Sequence, residues 1–181
     1  MSLMTKYRWF ALALALAFSL GLWSESAFAQ QGQYSLIIGK PFESALPKDF
    51  YLEGNAIPTA KRNATMVRTP GGARAIFSLL DTTGYASDIA SKYVGMIITE
   101  GDISVCGNKL GVGSYGFGWE RPSRGAEGPG KLIVYNQAGA KLSECATPRD
   151  AALKQPQPLQ IVVKQDGTAM LYHGRYSAEL K

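Results

Sequence analysis

Leu159-Gln160-Ile161-Val162-Val163-Lys164, then Gln165-Asp166-Gly167, then Thr168-Ala169-Met170-Leu171-Tyr172, is the stretch that decides the fold class. Leu159, Ile161 and Val163 alternate with Gln160, Val162 and Lys164, the period of two expected of a half-buried strand. Asp-Gly between two such runs is a favoured short hairpin turn, because both positions tolerate positive φ. Tyr176, Ala178 and Leu180 then alternate with Ser177 and Glu179 after Gly174, which predicts one more strand.

Upstream, the same pattern recurs in short pieces. Residues 34–38 are apolar and stop at Gly39-Lys40-Pro41, residues 50–53 are extended, and Ile57-Pro58 marks a loop. Residues 65–68 and 73–80 flank Thr69-Pro70-Gly71-Gly72, which reads as a hairpin turn. Residues 93–99 lead through Glu100-Gly101-Asp102 into 103–106, and residues 132–135 precede Asn136-Gln137-Ala138-Gly139. Two short helices are expected. One covers 87–93, capped by Ser87 with Asp88 in its first turn; the other covers 147–153, with Thr147 as cap, Pro148 at the first helical position and Pro156 as the stop. The expectation is a mainly β fold, an antiparallel β-sandwich or small barrel with one or two short helices. An outer-membrane barrel fits poorly, because its strands need about 9–11 residues.

Composition narrows the function classes. The 181 residues are 46% hydrophobic and 18% charged with a net charge of +5, which argues against disorder. One His and two Cys leave too little for a zinc finger, a haem attachment or a multi-histidine metal site, so no metal or cofactor is expected. Lys6 and Arg8 precede an apolar run over 9–22, followed by Ala27-Phe28-Ala29. That is a secretory signal peptide over 1–29, with one globular domain over 30–181 and a periplasmic or extracellular destination. The alternative, an uncleaved anchor, is disfavoured by an apolar run shorter than the ~20 residues of a spanning helix. No membrane span is expected once the leader is removed. Basic residues are scattered, and Lys61-Arg62 is the only adjacent pair after the leader, so nucleic acid is not an expected partner.

Export gives the cysteines a meaning. Cys106 and Cys145 are the only two, and an oxidising compartment lets them form a disulfide. The alternation through Ile103 and Val105 places Cys106 on the polar face, and Cys145 shares parity with Ser143, which predicts a surface staple.

Sequences that look chemical mostly lack their context. Gly111-Val112-Gly113-Ser114-Tyr115-Gly116 matches the letters of the dinucleotide fingerprint, but Phe117-Gly118-Trp119 continues as strand and Pro122 follows, so no helix receives a pyrophosphate. His173 is the only histidine and is expected on a surface or edge strand, beside Leu171. A hydrolase would have to use His173, or a carboxylate pair such as Asp81 with Asp88 or Glu100.

The most informative segment is 114–120. Tyr115, Phe117 and Trp119 share one face of an extended chain, and Gly116 and Gly118 leave the other face bare. Two arrangements fit: a stacking platform for sugar rings or another flat ligand, with Arg121, Arg124 and Lys131 serving anionic groups, or the core face of a sandwich with another segment crossing the glycines. The functional expectation is an exported non-catalytic β-domain that binds a ligand, such as a carbohydrate or a small flat molecule, or a cell-envelope protein. Alternatives are a structural component of the envelope, acting through strand edges, and a hydrolase.

Overall fold

The computed structural model describes residues 32–123 and 127–181. The expected leader, its cleavage point and Arg124 lie outside them. Thirteen strands are described, and every pairing among them is antiparallel. They are β1 (Ser35–Ile37), β2 (Asp49–Leu52), β3 (Asn55–Arg68), β4 (Arg74–Leu80), β5 (Gly95–Thr99), β6 (Ile103–Val105), β7 (Asn108–Leu110), β8 (Gly113–Glu120), β9 (Gly130–Asn136), β10 (Lys141–Thr147), β11 (Gln160–Val163), β12 (Ala169–His173) and β13 (Tyr176–Leu180). Helix α1 (Lys40–Ala45) lies between β1 and β2, and α2 (Ser87–Lys92) between β4 and β5. The larger sheet runs β1-β3-β4-β5-β8-β9-β10, with β2 also paired to β3, and the smaller runs β11-β12-β13-β6-β7. Neither closes into a barrel; the fold is a β-sandwich. Among the described residues no helix is long and apolar enough to cross a membrane.

The central strands of the larger sheet are buried on both faces, which explains why β4 and β5 read as nearly continuous apolar runs. Ala75, Phe77 and Ile97 point inward with Phe117, Trp119, Leu132 and Val134, against Leu159, Ile161, Leu171, Ala178 and Leu180 of the smaller sheet side. Met66, Ile76 and Met96 point outward and are covered by Leu46, Phe50, Leu52, Ile89 and Tyr93 from the helices and the β2–β3 hairpin.

The glycines of β8 follow from this double burial. A Cβ on Gly116 would lie 2.7 Å from the Tyr93 ring, and one on Gly118 would collide with the Lys92 carbonyl. The crossing segment anticipated from the bare face is therefore the C-terminal end of α2 and the residue after it.

Five readings change. Ser87 does not cap α2: it is the first helical residue, Ala86 holds the cap position, and no side chain caps the helix. Ile57 and Pro58 are not a loop but part of β3, where Pro58 pairs with Asp49 and Ile57 is fully buried. Pro41 opens α1 rather than merely ending a strand. The helix expected over 147–153 is absent. Thr147 ends β10 instead, and its hydroxyl accepts from the Trp119 indole at 3.1 Å, so it does not cap a helix. The Asp150 backbone N–H donates to the Arg175 carbonyl, drawing the segment onto β13. Finally, Cys106 and Cys145 are joined, but not on a polar face. Cys145 stands opposite Leu132 on the inward side of the larger sheet, and Cys106 turns at φ 52° out of β6 of the smaller one. The disulfide thus ties the two sheets across the core edge. It closes a separation of 39 residues, which constrains the unfolded chain by about 4 kcal/mol in the chain-entropy treatment.

Candidate functional site

The aromatic row of β8 belongs to the interior. Phe117 is 0% and Trp119 6% exposed, with the two rings edge to face at 6.4 Å; Tyr115 is half-buried and donates its hydroxyl to the Gly111 carbonyl at 2.9 Å. A solvent-facing platform of all three rings is therefore not formed, because the smaller sheet lies over them. The dinucleotide-like letters around Gly113 fall at the start of β8, with no helix following.

At the C-terminal end of β8 the core gives way to charge. The Trp119 indole meets the His173 imidazole with centroids 5.5 Å apart and a 47° tilt. His173 sits on an interior strand of the smaller sheet and is half-buried, not on an edge, because β11 and β13 flank β12. On it lies Arg121, whose Nη2 is 3.2 Å from both Nδ1 and Nε2. A donor aimed at one lone pair lies much nearer one nitrogen than the other, so equal distances place the guanidinium over the ring face. Gly174, at φ 62°, makes room: a Cβ there would stand 3.3 Å from that same Nη2. Burial, reinforced by the Arg121 charge, lowers the His173 imidazole from 6.5 to about 4. At neutral pH it is an uncharged ring.

Arg121, Arg149 and Arg175 line a cleft of about 570 Å³ here, together with His173, Pro158 and Tyr176. They come from three places: the end of β8, the connection after β10 and the turn between β12 and β13. Arg149 bridges through its backbone to Tyr176. Arg175 donates Nη1 to the carbonyls of Ala151 at 3.1 Å and Leu153 at 2.7 Å, which fixes both the connection and its own side chain. Asp150, the neighbouring acid, is engaged elsewhere: its Oδ2 accepts from the Tyr172 hydroxyl at 2.8 Å and its Oδ1 from the Ala152 N–H at 2.9 Å. Among the described residues none of the three arginines lies within 4 Å of a carboxylate.

Lys131, expected beside Arg121, faces a different environment. It pairs with Glu120 at 3.5 Å and lines a neighbouring cleft of about 620 Å³ that also holds Glu127 and Glu144, with Arg121 on the shared wall. Arg149 and Arg175 were not legible as site residues. The only signals were the prolines at 148, 156 and 158 and the turn residue Gly174.

A second polar cluster has the opposite character. Glu53 Oε1 accepts from Lys92 Nζ at 2.6 Å and from the Tyr93 hydroxyl at 2.6 Å, and Lys92 also donates to the Gly139 carbonyl at 2.7 Å. Lys92 lies over the rings of Tyr93 and Tyr135 at 5.2 and 5.0 Å. Glu53 is held at φ 48°, and its N–H donates to the Gln137 carbonyl at 2.8 Å. The bonds from Lys92 and Tyr93 hold its carboxyl below the usual range. The cluster clasps the β2–β3 turn, the end of α2 and the β9–β10 turn.

The carboxylates expected of a hydrolase are dispersed. Glu100 forms a bidentate pair with Arg74 at one end of β4, whereas Asp81 follows the other end, roughly 20 Å away by strand rise. Asp81 accepts from the Thr83 N–H at 3.1 Å, a local turn. Among the described residues no hydrogen bond joins Asp81 to Asp88. Ser114 stands five residues from Trp119, about 17 Å along β8 from the His173 end. Compared with models of protein families, with curated proteins and with solved structures, the chain matches none.

Proposed function

We propose that this protein is an exported, non-catalytic β-domain that binds a ligand in the cleft at the His173 end of the sandwich. One observation carries the reading: Arg121 lies over a neutral, half-buried imidazole in an open cleft, with no carboxylate partner among the described residues. Structural arginines are usually paired or spend their donors on carbonyls; a guanidinium held by its flat face keeps its donors for something else. Binding is favoured over hydrolysis because a general base works best with a pKa near the operating pH, and His173 is lowered to about 4. Its ring is also flanked by Trp119 and Arg121. The leader pattern over 1–29 and the Cys106–Cys145 disulfide support export.

The Trp119 indole N–H, fixed on Thr147, is a natural NMR reporter for the cleft. Addition of a bound ligand should shift it together with the His173 ring protons. A ligand that binds but shifts only residues elsewhere, or that is turned over chemically, would refute this reading.

A second reading, envelope assembly through a strand edge, is favoured by β1. It is an edge strand with Leu36 49% exposed, followed by Ile38 at 78%. Ile38→Lys should abolish a partner contact on that reading while leaving ligand binding in the cleft intact.

A further inference from the structure

We infer that the cleft takes an acidic saccharide, held through two oxyanion groups by Arg121 and Arg149, with Arg175 fixing the wall between them. The inference rests on the binding reading above and names its ligand class. Three observations lead to it.

The first is uncompensated charge. Six ion pairs are formed among the described residues, and none contains Arg121, Arg149 or Arg175. Arg175 spends Nη1 on backbone carbonyls, which anchors the side chain but leaves its positive charge in place. Among the described residues no Asp or Glu lines this cleft, in contrast to the adjoining one with Glu120, Glu127 and Glu144. Like charges brought together without counter-charge repel one another, and an anion bound between them would supply the missing attraction.

The second is number and placement. Three arginines line the cleft from three chain segments, two of them held by contacts that owe nothing to charge pairing: Arg121 on the His173 face and Arg175 on the carbonyl oxygens. A single small oxyanion is satisfied by one fork. Arg121 and Arg149, which make no ion pair among the described residues, suit two anionic groups on one molecule.

The third is the wall between the charges. Pro156, Pro158 and Tyr176 give the cleft apolar sides. A bare phosphate ion would leave those surfaces wet, whereas a sugar ring lays a C–H face on proline or tyrosine while its carboxylate or phosphate reaches the arginines. Its volume of about 570 Å³ is within the range that holds a small ligand.

The experiment is calorimetric titration of the mature protein with tetragalacturonic acid, with glucose 1,6-bisphosphate, with adenosine diphosphate and with the neutral tetrasaccharide maltotetraose, each repeated with the Trp119 indole N–H followed by NMR. The two acidic sugars separate carboxylate from phosphate as the preferred anion. The expected result is that at least one acidic sugar binds and shifts the Trp119 signal, and that maltotetraose does not bind measurably. Binding of that probe should weaken about tenfold or more between low salt and 0.5 M salt. Arg121→Gln and Arg149→Gln, both exposed and outside the core, should each weaken it about tenfold or more, while Lys48→Gln, remote from the cleft, should not change it. Maltotetraose binding as tightly as the acids while shifting Trp119 would overturn the acidic class and leave the cleft as a binding site. Adenosine diphosphate binding in the cleft more tightly than either sugar acid would overturn the saccharide. No shift of Trp119 by any of these probes would overturn the inference and weigh against the binding reading as well.

Discussion

The Glu53 cluster and the Arg121 cluster are both built of charge and aromatic rings, yet they differ in one respect. Around Glu53 every strong donor has an acceptor: Lys92 has a carboxylate and a carbonyl, and Tyr93 has the same carboxylate. Around Arg121 the donors outnumber the acceptors, and among the described residues the only side-chain partner is a neutral imidazole. A closed network fixes chain segments together. An open one leaves interaction energy for something outside the chain. The comparison teaches that in this sandwich the distribution of counter-charge, rather than the presence of charged or aromatic residues, separates structure from recognition.

Trp119 is the residue that links the open cluster to the core, so its removal should have the largest effect. Trp119→Ala should lower stability by about 3–5 kcal/mol, measured by denaturant unfolding, because a ring 6% exposed leaves a cavity and strands the Thr147 hydroxyl. A variant as stable as the parent would show that the open end is independent of the core.

His173 sharpens the contrast through pH. Its pKa falls from 6.5 in the unfolded chain to about 4 in the fold, so the unfolded chain takes up the proton first as the solution is acidified. The stability this neutral imidazole contributes is complete above pH 6.5, is lost progressively between pH 6.5 and about 4, and is flat below. Carboxylates such as Glu53 and Asp150 also lose stability on acidification, so the measurement is the difference between the parent and His173→Gln across that window. A difference that does not change with pH would mean the ring is not shielded.

Smaller still is a paired test of hydroxyl groups. Tyr93 donates to Glu53, and its own ionisation is pushed up by burial and by that carboxylate. Tyr34 is buried with no partner for its hydroxyl among the described residues, and burial pushes it up to about 12. Tyr93→Phe should cost about 1–2 kcal/mol, whereas Tyr34→Phe should be neutral or slightly stabilising. Equal effects would deny that the Glu53 network acts as a clasp.

How much of this could be read in advance divides along the range of the interactions. The Asp166-Gly167 hairpin, the turn at Thr69–Gly72 and the presence of α2 from Ser87 depend on neighbours in sequence and were legible, although the cap expected of Ser87 is not formed. The glycines at 116 and 118 showed that something crosses β8, though not that it is Lys92 and Tyr93. Thr147 misled because its local sequence favours a cap, while the Trp119 indole, 28 residues away, takes its hydroxyl. The arginine cleft was illegible for the same reason. Arg121, Arg149 and Arg175 are far apart in the chain, and only the return of the β10–β11 connection onto β13 brings them together. Pairing parity correctly placed Cys145 with Ser143, but which face was the inner one depended on the position of the second sheet.

Thermal unfolding of the ligand-free protein tests the contrast most directly, with Glu53→Gln measured beside the double variant Arg121→Gln/Arg149→Gln. Loss of the carboxylate from a closed network should lower Tm by several degrees. Loss of two unpaired cations from the open one should leave Tm within about 2 °C of the parent, or raise it by relieving repulsion. A double variant that melts well below the parent while Glu53→Gln melts with it would contradict the account.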